Sequence, residues 1–231
     1  MMLVLLLPFV ASAQRYEDAI AQYRLGYKMS LMKGDHALPP SDTGYLRFYA
    51  PNPEYRVKAS FEQVTGTVPF KMKTMHGGAG PFVRVYGKVY FNMNGAKVTL
   101  YVYRMVSPPT FRVLARNLDN AGNDLILFIP FTDRTNYKET FAGGRYLDVS
   151  AASLQSGEVI IDFNKACNPH TAYEKGYPYI VMPLEATQSA PVQWAETRKQ
   201  RDAPEVNTVS VNEIPFDIKA GEKIFGNHPG Y

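Results

Sequence analysis

Cysteine is nearly absent from this chain. Of its 231 residues only Cys167 carries a thiol, so no internal disulfide can form and stability must come from the apolar core. A lone thiol of this kind is more simply a small buried apolar side chain than a nucleophile. Histidine is scarce as well: His36, His76, His170 and His228 lie far apart in sequence, and neither H-E-x-x-H nor C-x-x-C occurs, so no metal and no cofactor is expected. The G-x-S-x-G elbow and the Walker A loop are also missing, which removes the common nucleophilic and nucleotide-binding chemistries. A net charge of +4 is thinly spread and argues against a nucleic-acid partner. Beyond residue 13 no apolar run approaches the ~20 residues of a membrane-spanning helix.

A composition of 45% hydrophobic and 20% charged residues, with 16 Tyr and 13 Phe, is that of a globular, tyrosine-rich chain suited to pleated, half-buried surfaces. The first thirteen residues, MMLVLLLPFVASA, read as a signal peptide. The apolar stretch Leu3–Val10 is too short to span a bilayer, and Ala11-Ser12-Ala13 offers the small residues a signal peptidase recognises. No Lys or Arg precedes the run. On this reading residues 1–13 are removed, Gln14–Tyr231 form a single β-rich domain, and the protein is exported to the periplasm or the extracellular space.

Tyr16, Ala19, Ile20, Tyr23, Tyr27 and Leu31 recur at helical spacing. They predict an amphipathic helix over roughly Arg15–Lys33, capped by Gly34 and docked through its tyrosine stripe. From residue 55 the period becomes two. Val57, Ala59 and Phe61 alternate with Arg56, Lys58, Ser60 and Glu62. Val83, Val85, Gly87, Val89 and Phe91 are expected to share one face, and Asn94-Gly95 marks a hairpin. Further strands are expected at Phe111–Ala115, Leu125–Phe131, Arg145–Val149, Glu158–Phe163, Tyr177–Met182 and Phe216–Lys219, the nearly all-apolar Leu125–Phe131 being buried on both faces. The fold class is mainly β, an antiparallel sandwich or partly open barrel with an N-terminal helix. Residues 184–212 are polar and carry the only tryptophan, Trp194; they read as a surface excursion. His76–Gly80 is read as a flexible glycine-rich turn.

Two runs concentrate polar residues beside apolar strands: Pro130–Asp148 and Asp162–Tyr173. Buried polar groups are costly unless paired. Asp133 with Thr135 can close an Asx turn, Glu139 is placed to pair with Arg145, and Arg145 could fork onto a carboxylate or phosphate. Tyr146, Asp162, Asn164, Asn168 and Tyr173 complete the candidate ligand-binding set. Two roles compete for these residues: a hydrogen-bonded framework that pins the strands, or the floor of a shared pocket for a small polar or anionic ligand. Asp133 and Asp162 would serve acid–base chemistry only if burial split their pKa values.

The runs LFIPFTDRTNYKETFAGGRYLDV (Leu127–Val149), IIDFNKACNPHTAY (Ile160–Tyr173) and IKAGEK (Ile218–Lys223), with YAPNPEYRVKASF (Tyr49–Phe61) and the strand Val83–Phe91 upstream, resemble the bacterial and archaeal family called domain of unknown function 1684. The resemblance implies a β-rich fold and no known activity. This chain departs from the family where Cys167 replaces an aromatic, where Thr171 and the region of Tyr179 lack cysteines, and in a longer segment before Ile218. Any metal, thiol or disulfide role for that cysteine pair does not carry over. Taken together these features predict an exported, non-enzymatic module that binds a small polar ligand or associates with the cell envelope. The alternatives are a hydrolase with an aspartate general base and a structural assembly subunit. The oligomeric state is not specified by the sequence.

Overall fold

A computed structural model describes residues 7–33, 37–73, 79–105, 125–173 and 212–224; side chains are described from residue 14 onward, apart from those of 71–73, 79–82, 170 and 171. The expected strands Phe111–Ala115 and Tyr177–Met182, the cap Gly34, the turn His76–Gly78 and the excursion up to residue 211 lie outside the described residues.

Helix α1 (Leu7–Leu31) precedes strands β1 (Arg56–Gln63), β2 (Phe70–Lys73), β3 (Ala79–Met93), β4 (Ala96–Met105), β5 (Ile126–Phe131), β6 (Arg145–Ser150) and β7 (Glu158–Asp162). They form one antiparallel sheet in the order β6-β5-β4-β3-β1-β7, with β2 attached to β3. The sheet curls into a half-barrel, the partly open barrel of the two expected architectures. The hairpin at Asn94-Gly95 forms as expected. Both residues have positive φ, 51° and 75°, matching the twist of the flanking strands, and Met93 faces Ala96.

The concave face holds the main core. Val89, Phe91 and Met93 of β3, Val98, Leu100 and Val102 of β4, Leu127, Ile129 and Phe131 of β5, Leu147 and Val149 of β6 and Val159 and Ile161 of β7 pack there. Strand β5 is buried from Leu127 through Phe131, as its apolar run demanded. It lies between β4 and β6, and its Phe128 packs the other way, against Val83, Val85 and Tyr103.

The single shared face expected for Val83–Phe91 is corrected by a β-bulge. Val85 faces Tyr103, but the next partnered residue, Gly87, faces Val102. Tyr86 is therefore extra, and one inserted residue exchanges the two faces of a strand. Val83 and Val85 thus join the smaller cluster on the opposite side from Val89 and Phe91. Gly87 makes the bulge possible: a Cβ there would lie 2.5 Å from the Glu62 carbonyl oxygen and against the Phe61 ring.

Residues Phe216–Lys219 are not a strand. The stretch Asn212–Ile224 is an irregular strap laid against β4, β5 and the loop after β5, with Thr132 N–H donating to the Asn212 carbonyl and Ile214 N–H donating to the Thr132 carbonyl. The Asn212 side chain bonds both the N–H and the C=O of Tyr101 (2.6 and 2.9 Å) and the Pro130 carbonyl. The strap carbonyls of Ile218, Ala220 and Glu222 are taken by a side chain, Arg145, instead of a neighbouring strand. Ile214, Ile218 and Ala220 are fully buried beneath it.

Helix α1 docks as its stripe predicted. Ile20, Tyr27 and Leu31 are buried, and Tyr27 and Leu31 pack with Leu38, Leu46, Cys167 and Tyr173; Ala19, included in the stripe, is exposed. Cys167 is buried, its thiol donating to the Lys165 carbonyl at 3.3 Å. Among the described residues no helix is long and apolar enough to cross a membrane.

Candidate functional site

The polar residues singled out by sequence fall into three groups and not into one shared hollow. The first is a knot between the loop after β5, the start of β6 and the strap. Asp133 Oδ1 accepts from Thr135 N–H (2.8 Å), from Thr135 Oγ1 (2.6 Å) and from Ile218 N–H (3.3 Å). This is the expected Asx turn, extended to the strap. Asp133 Oδ2 accepts from Arg145 Nη2 at 2.6 Å. Arg145 therefore pairs with Asp133 and not with Glu139. Its Nη2 also donates to the Ile218 carbonyl (2.9 Å), and its Nη1 donates to the carbonyls of Ala220 and Glu222. With 1% of its surface exposed, Arg145 has its terminal nitrogens filled by protein acceptors. Gly144, at φ 87°, sets the turn that leads into it.

The second group adjoins α1. Asp162 caps the short turn after β7 by accepting from Asn164 N–H (3.1 Å) and also accepts from Tyr16 of α1 (3.0 Å). Burial, with the Asp162 carboxylate beside it, pushes the Tyr16 phenol upward. Asn164 bonds both the N–H and the C=O of Asn52 (2.8 Å each), stitching the segment before β1 to the end of β7.

The third group surrounds Glu222, within the run IKAGEK. Glu222 is fully buried. Its carboxylate accepts from Tyr173 (2.6 Å), from Tyr27 of α1 (3.0 Å) and from Asn168 N–H (2.8 Å). Burial raises its carboxyl to about 7; the two phenols, the Asn168 N–H and the nearby Arg145 charge oppose that rise without cancelling it. Both phenols are pushed far above their ordinary range by burial and by Glu222. Gly221 brings the strap in: its φ is +76°, and a Cβ would sit 2.6 Å from the Ala166 carbonyl oxygen. A signal for Glu222 did exist, as a lone carboxylate within the short run Ala220-Gly221-Glu222, but nothing in spacing shows that the run is interior.

Glu139 stands apart on the surface, where Tyr49 donates to it (3.0 Å) and Lys219 lies 3.5 Å away. Tyr146 pairs through its backbone with Cys167 in both directions (2.9 and 3.0 Å), which ties the outer edge of β6 to the segment after β7. Among the described residues no group of three or more His, Cys, Asp or Glu is placed to hold a metal.

Past that tie the half-barrel stays open. A groove of about 650 Å3 lies between β6 and β7, the two ends of the strand order. It is bounded at one end by the Tyr146–Cys167 tie and at the other by the connection Ala151–Gly157. Arg56, Lys58 and Lys165 contribute positive charge; Asp148, Glu158 and Asp162 contribute negative charge; Ser150, Ser153 and Ser156 add hydroxyls. Of the predicted site residues only Asp162 lines it. Lys58 and Glu158 pair at 2.8 Å across its exposed wall. The alternation of β1 foretold that Arg56 and Lys58 point outward, but not that β7 would be their neighbour.

The family model described as protein of unknown function (DUF1684) matches residues 44–193. The chain belongs to this family. Of the features described above, the first and second groups and the groove lie within the matched part of this DUF1684 protein, apart from Tyr16 and the strap, whereas Glu222 and Tyr27 lie outside it. The solution NMR structure of an uncharacterised protein of Haloarcula marismortui is similar at a TM-score of 0.58 and 20% identity, covering 94% of this chain and 99% of that one. At that identity the likeness is one of fold. No curated protein matches the DUF1684 chain.

Proposed function

We propose that this protein is an exported, non-enzymatic binding module whose site is the groove between β6 and β7. The carrying observation is the mixed charge of a 650 Å3 opening at the place where the barrel fails to close, since clefts with a few convergent polar groups are the usual sites for small ligands. Cations and carboxylates side by side suit a small polar or zwitterionic molecule. Asp162 is the residue of the predicted set that this reading keeps at the ligand. Asp133, Thr135, Arg145, Asn164, Asn168 and Tyr173 act as the frame, because their side-chain hydrogen bonds go to the backbone or to other side chains, and the two buried atoms among them without a protein partner, Arg145 Nε and Asn168 Oδ1, belong to residues that do not line the groove. A hydrolase is disfavoured on the same ground: Asp133 and Asp162, 7% and 8% exposed, both cap backbone N–H groups.

The groove is tested by a thermal-shift screen of amino acids, dicarboxylates and sugar phosphates. At least one compound is expected to raise the melting temperature of the wild type, and a ligand at 100 times its Kd adds about 2.7 kcal/mol. The double variant Arg56→Ser/Lys58→Ser, at exposed positions, is expected to lose that shift while melting normally without ligand. A shift that survives in the double variant would place the ligand elsewhere.

Export rests on the apolar run ending in Ala11-Ser12-Ala13. The helix runs unbroken through residue 13, and Tyr16, three residues on, reaches the body by donating to Asp162. Cleavage after Ala13 keeps Tyr16, Ile20, Tyr27 and Leu31, through which α1 meets the body. Protein recovered outside the cytoplasm is expected to have the mass of Gln14–Tyr231; recovery only inside the cell at full mass would count against export.

A further inference from the structure

We infer that the groove takes a short peptide in extended conformation, added as a strand to the outer edge of β7. This deepens the binding-module reading and rests on it.

The inference follows from hydrogen-bond parity. In an antiparallel pair, residues alternate between those whose N–H and C=O both face the partner and those whose N–H and C=O both face away. Strands β1 and β7 pair Val57 with Ile161, Lys58 with Ile160 and Ala59 with Val159. Phe61 N–H donates to the Gly157 carbonyl at 2.8 Å, in the same register, and so fixes which residues face inward. Gly157 gives β1 its carbonyl, its N–H going to the Leu154 carbonyl, and Val159 and Ile161 turn both backbone groups toward β1. Glu158, Ile160 and Asp162 turn theirs toward the groove. Glu158 is occupied locally by Ser156. Ile160 is not: β7 ends the strand order, and among the described residues no strand lies beyond it. An N–H and a C=O at the middle of β7 thus face an opening, flanked by the backbone of Asp162.

Proteins normally blunt such an edge with proline, a bulge or an inward-pointing charge. Strand β7, EVIID, has no proline, and its ladder with β1 runs without a shift. Its central side chain is apolar and 44% exposed. Main-chain bonding gives affinity in strand addition, and side-chain pockets on alternate positions give specificity. Here the alternate contacts are Ile160 on one hand and the opposed charges of the groove on the other. A β-strand rises about 3.3 Å per residue, so the length of β7 and the closures at both ends admit a segment of roughly four or five residues. Charges of both signs within that length fit a peptide, which itself carries donors and acceptors in strict alternation. They do not fit a uniformly anionic ligand.

Parity also supplies a clean test. Proline at 160 deletes only the N–H that points into the groove, leaving every β1–β7 bond in place, which is the position where a strand tolerates proline. Threonine at 160 keeps the N–H and trims the apolar contact. The probe is a random pentapeptide library displayed on phage and selected against the full chain; selected sequences are then synthesised. Bound peptide is expected to slow hydrogen exchange at the Ile160 amide of the wild type at least tenfold. Affinity is expected to fall tenfold or more in Ile160→Pro and less than threefold in Ile160→Thr. Hydrogen exchange of the β1 amides checks that the proline variant keeps its ladder; if it does not, the exchange result on the wild type decides alone. Selection of no peptide above background would overturn the inference, as would binding that leaves Ile160 exchange unchanged. So would a concentration-dependent dimer, abolished by Ile160→Pro, since the edge would then serve a second copy of this chain. If small polar compounds bind through Arg56 and Lys58 while peptides do not bind, the groove stands as a site and only its peptide occupant falls.

Discussion

Replacing Arg145 by alanine is expected to lower the unfolding free energy by about 3–5 kcal/mol, the usual cost of breaking a buried ion pair from one side. Three losses combine. The Asp133 carboxylate, 1% exposed along its side chain, is left without its counter-charge. The carbonyls of Ile218 and Ala220 lose their donors in a closed interior. The strap that carries Ile214, Ile218 and Ala220 into the core loses its anchor to β6. Against a typical domain stability of about 5–15 kcal/mol this is a large fraction. Urea denaturation of Arg145→Ala, Asp133→Ala and the double variant measures it. Each single change should be severe, and the double should cost clearly less than their sum, because the second removal deletes a charge already stranded. A single-variant loss under about 1 kcal/mol would mean that the knot only decorates a strap held by its apolar residues.

A second large effect is a dependence on pH opposite to ordinary acid denaturation. Glu222 holds its proton up to about pH 7 in the folded chain, against an ordinary value of 4.5. Below about pH 4.5 both states carry the proton and the full stability is present. As pH rises from there toward 7 the unfolded chain releases its proton while the folded chain does not, and stability is lost. Above about 7 both are ionised and the loss is complete. Its size is on the order of 3 kcal/mol. Tyr27 and Tyr173 stay protonated throughout, since burial pushes them well up; Glu222 is thus the member of its cluster that titrates. Glu222→Gln removes the titration while nearly keeping the shape. Denaturation at pH 4 and pH 8 should show the wild type losing more stability than the variant, by on the order of 3 kcal/mol. Parallel curves would mean that the three donated hydrogen bonds hold Glu222 ionised at neutral pH.

These effects lie on residues of differing legibility. Asp133, Thr135 and Arg145 could be picked out because short polar runs beside a fully apolar strand must be paired to fold. The Asx turn could even be assigned, being a contact of two residues' separation. The partner of Arg145 could not: Glu139 is the nearer of the two carboxylates in sequence, yet the choice falls to Asp133 because the turn after β5 directs that carboxylate inward while Glu139 stays among surface lysines. Glu222 and Tyr27 are 195 positions apart, so no local pattern links them. The bulge at Tyr86 was equally hidden, since the alternation of apolar residues in β3 passes through it unbroken and only the partner strand reveals the extra residue.

By itself, the sequence determined the class of the protein: a mainly β domain with one docked amphipathic helix, a hairpin at Asn94-Gly95, a core built without disulfides, and membership of a recognisable family. Those properties are local, set by side-chain period, turn chemistry and composition over a few residues. Tertiary structure alone decided that the barrel stays open between β6 and β7, that the polar residues divide into a framework and a groove, and that the strap carries a carboxylate into the interior. Each of these depends on which distant segments become neighbours, and that is settled by the summed burial and hydrogen bonding of the whole chain.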